Sequence, residues 1–244
     1  MSCNPRKANS FIALISAAGL GSVGYALTRT NTWHPGEVIA LTAIAIAASR
    51  MKIKLPRLNG SMSVNLPFVL IAVVRLSLLE ALLIALASTA VQSLPAAGGK
   101  PKLVQMLFNV CTMASAVGSG RWILHHQAFA GRSLWMSPAL LLSLATASFF
   151  LIQTIPVAFI ISLTEGGSAL RIWSSIFHLS FPYYVLSAGV TSVVTAASQR
   201  IVWQVPLLVL PAMYGVYCSY RLYFGRAAQV DDTLTMAQAA GKAH

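Results

Sequence analysis

The stretch NLPFVLIAVVRLSLLEALLIALASTAVQSL, from Asn65 to Leu94, decides how this chain is threaded. It is either one long apolar helix with Arg75 and Glu80 buried in it, or two short helices with a break between them. Ser77-Leu78-Leu79-Glu80 has the form S-x-x-E, in which the serine hydroxyl caps a new helix and the glutamate reaches back to the cap amide. Arg75 then falls in the last turn of the preceding helix, where its charge meets the negative end of the backbone dipole. A continuous helix would instead carry Arg75 through hydrocarbon, at about 2.5–3.5 kcal/mol on the insertion scale. The sequence therefore predicts a break between Arg75 and Glu80.

Apolar runs flank the break on both sides: 11–27 and 38–49 before it, then 103–124, 137–163, 179–197 and 201–224 after it. With the break, the chain has eight apolar segments and both termini on one side. Of its 17 Lys and Arg residues, five (Arg29, Arg75, Arg121, Arg132 and Arg200) then lie outside and the remaining twelve inside. Loops rich in Lys and Arg tend to stay cytoplasmic, so this imbalance favours the broken pair and cytoplasmic termini in a bacterial inner membrane. The two pieces, 65–74 and 78–92, are each shorter than the roughly 20 residues that span a bilayer. They are expected to be tilted, to thin the bilayer, or to be re-entrant, and such interrupted helices often border a binding cavity.

Composition agrees with this threading. The chain has 244 residues, 57% hydrophobic and 9% charged, with a mean hydropathy of +0.72. The expected fold is all-α, a polytopic membrane bundle of about six to eight hydrophobic segments over residues 1–225, with a short polar tail at 226–244 that reads as disordered or as the start of a linker. The N-terminal NPRK and the apolar run after it have the layout of a signal peptide, but the run is long and more spans follow, so an uncleaved first helix is expected. The basic stretch RMKIKLPRLNGSMSV alternates polar and apolar residues around Asn59-Gly60, which suits a small cytoplasmic hairpin or loop.

A net charge of +12 could suggest nucleic acid, but that partner needs a basic face on a soluble domain. Here the bases flank membrane segments, and anionic lipid headgroups are the expected partner. Cys3, Cys111 and Cys218 are far apart and lack C-x-x-C spacing, so packing is expected of them rather than a disulfide framework.

Few residues offer chemistry. Gly19, Gly21 and Gly24 match G-x-G-x-x-G, but inside an apolar run rather than between a strand and a helix; Ala17 and Gly21, four apart, read better as a helix-packing face. His125-His126 has no Cys, Asp or Glu nearby to complete a metal set and is expected at an interfacial helix end. No nucleophile elbow, zinc signature or phosphate loop is present, so neither catalysis nor a metal or other cofactor is expected. Arg171, Trp173 and His178 suit a stretch resting on the inner interface before Phe181-Pro182-Tyr183-Tyr184 enters the membrane. Tyr214, Tyr217, Tyr220 and Tyr223 form an aromatic stripe that suits packing or an interfacial belt.

The remaining signal is a set of amides at membrane depth. Gln105 and Asn109, four apart, share a helix face; Gln153 lies beside Pro156, which loosens backbone bonding; Asn65 and Gln92 sit near the short helices. Asn65, Gln105, Asn109 and Gln153 are the candidate ligand-binding residues, and interhelical hydrogen bonding is the competing reading.

Several stretches together resemble the membrane-embedded, MASE-like sensor regions found N-terminal to bacterial HD-GYP or GGDEF signalling domains. They are Arg50 to Pro56 with Gly60-Ser-Met-Ser-Val, Leu76-Ser77 with Glu80, Gln105 with Phe108-Asn109, Pro156-Val157, Phe181-Pro182-Tyr183-Tyr184, and Tyr220-Arg221-Leu-Tyr223. The resemblance implies a sensory or small-ligand-binding membrane module. Only 227–244 follow the last segment, too short for an output domain, so the expectation is either a stand-alone sensor or scaffold acting through a cytoplasmic signalling partner, or a fragment or degenerate copy that has lost its output domain. In helix number the chain also resembles, more loosely, the substrate-binding subunits of vitamin transporters, and a small-solute permease or transporter subunit is the alternative reading.

Overall fold

The computed structural model describes residues 5–29, 33–54, 61–95, 103–125, 137–197 and 209–222. Among them are eight helices: α1 (Pro5–Leu27), α2 (Pro35–Arg50), α3 (Leu66–Arg75), α4 (Leu78–Ser93), α5 (Leu103–His125), α6 (Pro138–Glu165), α7 (Ala169–Ala197) and α8 (209–222). The fold is all-α apart from a short antiparallel hairpin between α2 and α3, β1 (Lys52–Lys54) and β2 (Ser61–Ser63), with Lys52 opposite Ser63. Four helices, α1, α5, α6 and α7, are long and apolar enough to cross a membrane.

The break is where the local sequence places it. Ser77 is extended, its hydroxyl accepts the N–H of Glu80 at 3.4 Å, and the Glu80 carboxylate accepts the N–H of Ser77 at 2.9 Å, which completes the capping box. Two contacts show that α3 and α4 run antiparallel. The Asn65 amide at the start of α3 meets the Ser88 hydroxyl at 3.2 Å, eleven residues beyond the cap, and Lys52 of β1 donates to the carbonyl of Leu94 after α4. One end of the bundle therefore carries the hairpin and the end of α4 (the hairpin face). The other carries the break and the start of α2, where His34 meets Glu80 and Glu37 meets Arg75 at 3.9 Å.

Helix α3 is the centre of the bundle. It has 10 residues, so it is only about 15 Å long, and Leu66 through Val73 are all buried against α2, α4, α5 and α7. A helix this short starts inside the bundle, and its free backbone groups must be satisfied there. At its start the Leu66 N–H is taken by the Tyr183 hydroxyl of α7 at 3.1 Å. Pro67 has no N–H to satisfy, and the N–H of Phe68 reaches the carbonyl of Asn65. At its end the Arg121 guanidinium of α5 donates to the carbonyl of Val73 at 2.8 Å. Two long helices thus hold the short one by both ends.

Helices α1 and α5 lie parallel and close. A Cβ on Gly19 would come within 2.6 Å of the Cys111 carbonyl oxygen, and one on Gly118 within 2.8 Å of the Ser22 hydroxyl. The packing face therefore runs through Gly19, Ser22 and Ala26. This corrects the expectation for Ala17 and Gly21: Ala17 is exposed, and nothing lies within 4 Å of a Cβ on Gly21. The structure also places Arg171, Trp173 and His178. They belong to the same continuous helix as Pro182, a helix of 29 residues, or about 43 Å. That length exceeds the hydrocarbon core, so the first turns of α7 can stand at the interface without a separate segment. Tyr217 and Tyr220 of α8 pack on the core cluster, whereas Tyr223 lies outside the described residues.

Candidate site: an amide chamber at the start of α3

Because α3 begins inside the bundle, the residues around its first turn enclose space that a full-length helix would fill. A chamber of about 160 Å³ lies there. Its floor is the link from β2 into α3, with Ser63, Asn65 and Leu66; Gln92 of α4 and Met113 of α5 form one side. Helix α6 contributes Gln153 and Thr154, and α7 contributes Ser180, Tyr183 and Tyr184.

The polar groups differ in how firmly they are held. Asn65 is buried and committed: its Oδ1 accepts the Ser63 hydroxyl at 2.8 Å and its Nδ2 donates to Ser88. Tyr183, also buried, is committed to Leu66. Thr154 donates to the carbonyl of Phe150 at 2.7 Å and accepts the indole N–H of Trp173 at 3.1 Å. Gln153 has only the sulfur of Met113, at 3.2 Å, a weak acceptor. Among the described residues the Gln92 amide has no hydrogen-bond partner, and neither has the Tyr184 hydroxyl. The chamber thus couples a fixed floor to two amides with bonding capacity to spare.

Among the described residues no charged side chain lines it. The start of α3 adds the positive end of a helix dipole, but its first N–H groups are already taken by Tyr183 and Asn65. An ion would be desolvated here without a counter-charge. An uncharged molecule offering both donors and acceptors fits the amides.

The four candidate amides divide. Asn65 and Gln153 meet in the chamber, and Gln92 joins them. Asn109 lies on α5 toward α4 and donates to the Ser93 hydroxyl at 3.4 Å; Gln105 is exposed near the start of α5. Neither lines the chamber. Sequence reasoning passed over Ser180, and it read Tyr183 only as part of the Phe181-Pro182-Tyr183-Tyr184 run rather than as a chamber wall.

A second polar group stands at the opposite end, around the break. Glu80 is fully buried, and its carboxylate accepts the N–H groups of His34 and Ser77 and the Ser77 hydroxyl. With every contact made within the protein, this is a clamp rather than an open site. Among the described residues no group of three or more His, Cys, Asp or Glu could hold a metal; His126 lies outside them. At the hairpin face, burial and neighbouring Arg50 hold the Lys52 ammonium below its ordinary range.

No curated protein and no solved structure matches the chain. The MASE9 family model matches residues 26–223, a span that holds the hairpin, the broken helix pair, the amide chamber and the Glu80 clamp. The chain belongs to the MASE9 family and is a multi-pass membrane sensor region of the MASE type.

Proposed function

We propose that this chain is a non-catalytic sensory module of a bacterial inner membrane, with both termini cytoplasmic, that binds a small uncharged ligand in the amide chamber and passes its occupancy to a cytoplasmic signalling partner. The observation that carries the reading is the convergence of Asn65, Gln92 and Gln153 from three separate elements on one cavity, with Gln92 and Gln153 underused. Interhelical hydrogen bonds alone are worth only about 0.6 kcal/mol on average in membranes, and a pair of amides held for packing would be expected to bond each other.

The chamber adjoins parts that could transmit. Ser63 ends the basic hairpin and also binds Asn65, so a ligand drawing on the Asn65 amide pulls on the hairpin. Tyr183 joins the chamber to α7, and Thr191, two turns further along α7, reaches the carbonyl of Pro67 at 3.4 Å. A change at the floor would therefore move α3 against α7 and shift the hairpin that faces the cytoplasm in this threading.

The clean test uses Gln92→Leu and Gln153→Leu, because Asn65 is committed to holding the fold. Protein extracted from its own membrane in mild detergent is examined by native mass spectrometry. A bound small molecule in the parent that is absent from both folded variants is the expected result. A bound mass retained in both variants, or none in the parent, counts against the chamber as the ligand site.

A further inference from the structure

The chamber is smaller than the roughly 300–1,000 Å³ typical of ligand pockets, and a second hollow adjoins it. Between α6 and α7, on the outer side of the bundle, runs a groove of about 580 Å³. It extends along α7 from Phe177 to Ser192, about 22 Å at the helical rise. Its lining is almost entirely apolar, and small residues such as Ala147, Ala188 and Gly189 form part of it. Tyr184 lines both the groove and the chamber. Its ring meets Phe150 edge-on at 4.9 Å, and Phe150 in turn meets Phe181 at 5.8 Å. A single aromatic layer is thus the boundary between an amide-lined space and an apolar channel open to hydrocarbon.

We infer that the ligand is a single-tailed amphiphile, with an uncharged hydrogen-bonding head in the chamber and its apolar tail in the α6–α7 groove beyond Tyr184. This rests on the chamber being the ligand site and adds the chemical class. The direction agrees with a molecule drawn from the leaflet at the hairpin face: the head lies toward that face and the tail runs toward the other. The uncharged head follows from a lining that, among the described residues, holds no charged side chain, and from first amides of α3 that are already bonded. The tail is held by fit, because lipid chains outside are as apolar as the groove and only close packing can favour the inside.

The groove can be filled without touching the protein's own packing. Nothing lies within 4 Å of a Cβ placed on Gly189, and Ala147 on the opposite wall is exposed. The probes are a long-chain monoacylglycerol in lipid nanodiscs and glycerol as the head alone. The readout is the emission of Trp173, kept as the single tryptophan, whose indole is bonded to Thr154 of the chamber wall. A saturable emission change is expected with the monoacylglycerol, with Gly189→Leu and Ala147→Leu each raising the half-saturating mole fraction about tenfold, because a filled groove loses its van der Waals contacts with the tail. Both variants should answer glycerol as the parent does, and Gln153→Leu should weaken the response to both probes. If the filled-groove variants bind the long-chain probe as well as the parent while Gln153→Leu still weakens the glycerol response, the tail assignment is wrong and the chamber stands. If Gln153→Leu changes neither response, the chamber itself is wrong, and the inference falls with it.

Discussion

Glu80 and His34 stand 46 positions apart, yet Glu80 Oε1 accepts the backbone N–H of His34 at 2.6 Å and lies 3.6 Å from the His34 ring nitrogen. The other oxygen of the same carboxylate closes the capping box of α4. One side chain therefore starts one helix and fixes the approach to another, α2. The carboxylate is fully buried, and the Arg121 guanidinium is close enough to interact with it electrostatically.

That double use predicts unequal costs. Ser77→Ala removes the hydroxyl cap and should lower stability by about 0.5–2 kcal/mol. Glu80→Ala should cost more, because the N–H groups of Ser77 and His34, in part-buried bonds, both lose a charged acceptor, where one hydrogen bond to a charged group is worth about 1.5–3 kcal/mol. Thermal unfolding of the two variants in the same detergent ranks them; an equal or reversed order would mean that the His34 contact contributes nothing.

Threading can be tested from the break face. His34 has an exposed side chain while its backbone N–H bonds Glu80, so His34→Cys in a background without native cysteines should keep that backbone contact while giving up the ring nitrogen's. A membrane-impermeant thiol reagent should label it from the periplasm of intact cells. Leu76, inside the break itself, is a poor reporter, since it is 2% exposed. A phosphatase fused after Arg226 should be inactive, as cytoplasmic termini require. Strong phosphatase activity there would invert the assignment.

Close approach of α1 and α5 makes Gly19 special. Gly19→Ala should destabilise by about 1–3 kcal/mol, as overpacking does, because the Cys111 backbone stands where the methyl would go. Gly21→Ala should stay within about 0.5 kcal/mol. Equal melting temperatures for the two variants would show that the helices part without cost.

The contrast between Gly19 and Gly21 also shows what the sequence could convey. The break at Ser77 was legible because a capping box is a local pattern whose meaning does not depend on neighbours, and the all-α membrane class followed from long apolar runs. Facing was not legible. Helices apolar on every side give no stripe to tell protein from lipid, so Gly19 and Gly21, about 200° apart around the axis, could not be ranked. The same blindness placed Gln105 and Asn109 beside Asn65 and Gln153 as equals: all four lie in or beside apolar runs, and only tertiary packing brings two of them to the chamber. Arg121 was legible only as an outside charge near an interfacial helix end. Its partner is the end of a helix that the fold brings to it from 48 residues away.

Arg121 yields the last prediction. Its guanidinium is the group from another helix that satisfies the Val73 carbonyl at the C-terminal end of α3, where a cation also complements the helix dipole. Arg121→Met keeps much of the apolar stem and removes the charge and the donor, and it should cost about 1.5–3 kcal/mol, the usual range for a hydrogen bond to a charged group. Arg121→Lys retains the charge and should recover part of that loss, though a single ammonium lacks the planar fork of Arg. Because α3 is held at its other end by Tyr183, Arg121→Met and Tyr183→Phe act on one short rigid element. Their effects should be non-additive even though the two residues grip opposite ends of it, since freeing either end lets the whole helix shift. Melting temperatures of the two single variants and the double variant form the required cycle. Strict additivity would mean that α3 is held along its buried sides rather than by its ends, and that its capping is incidental to its position.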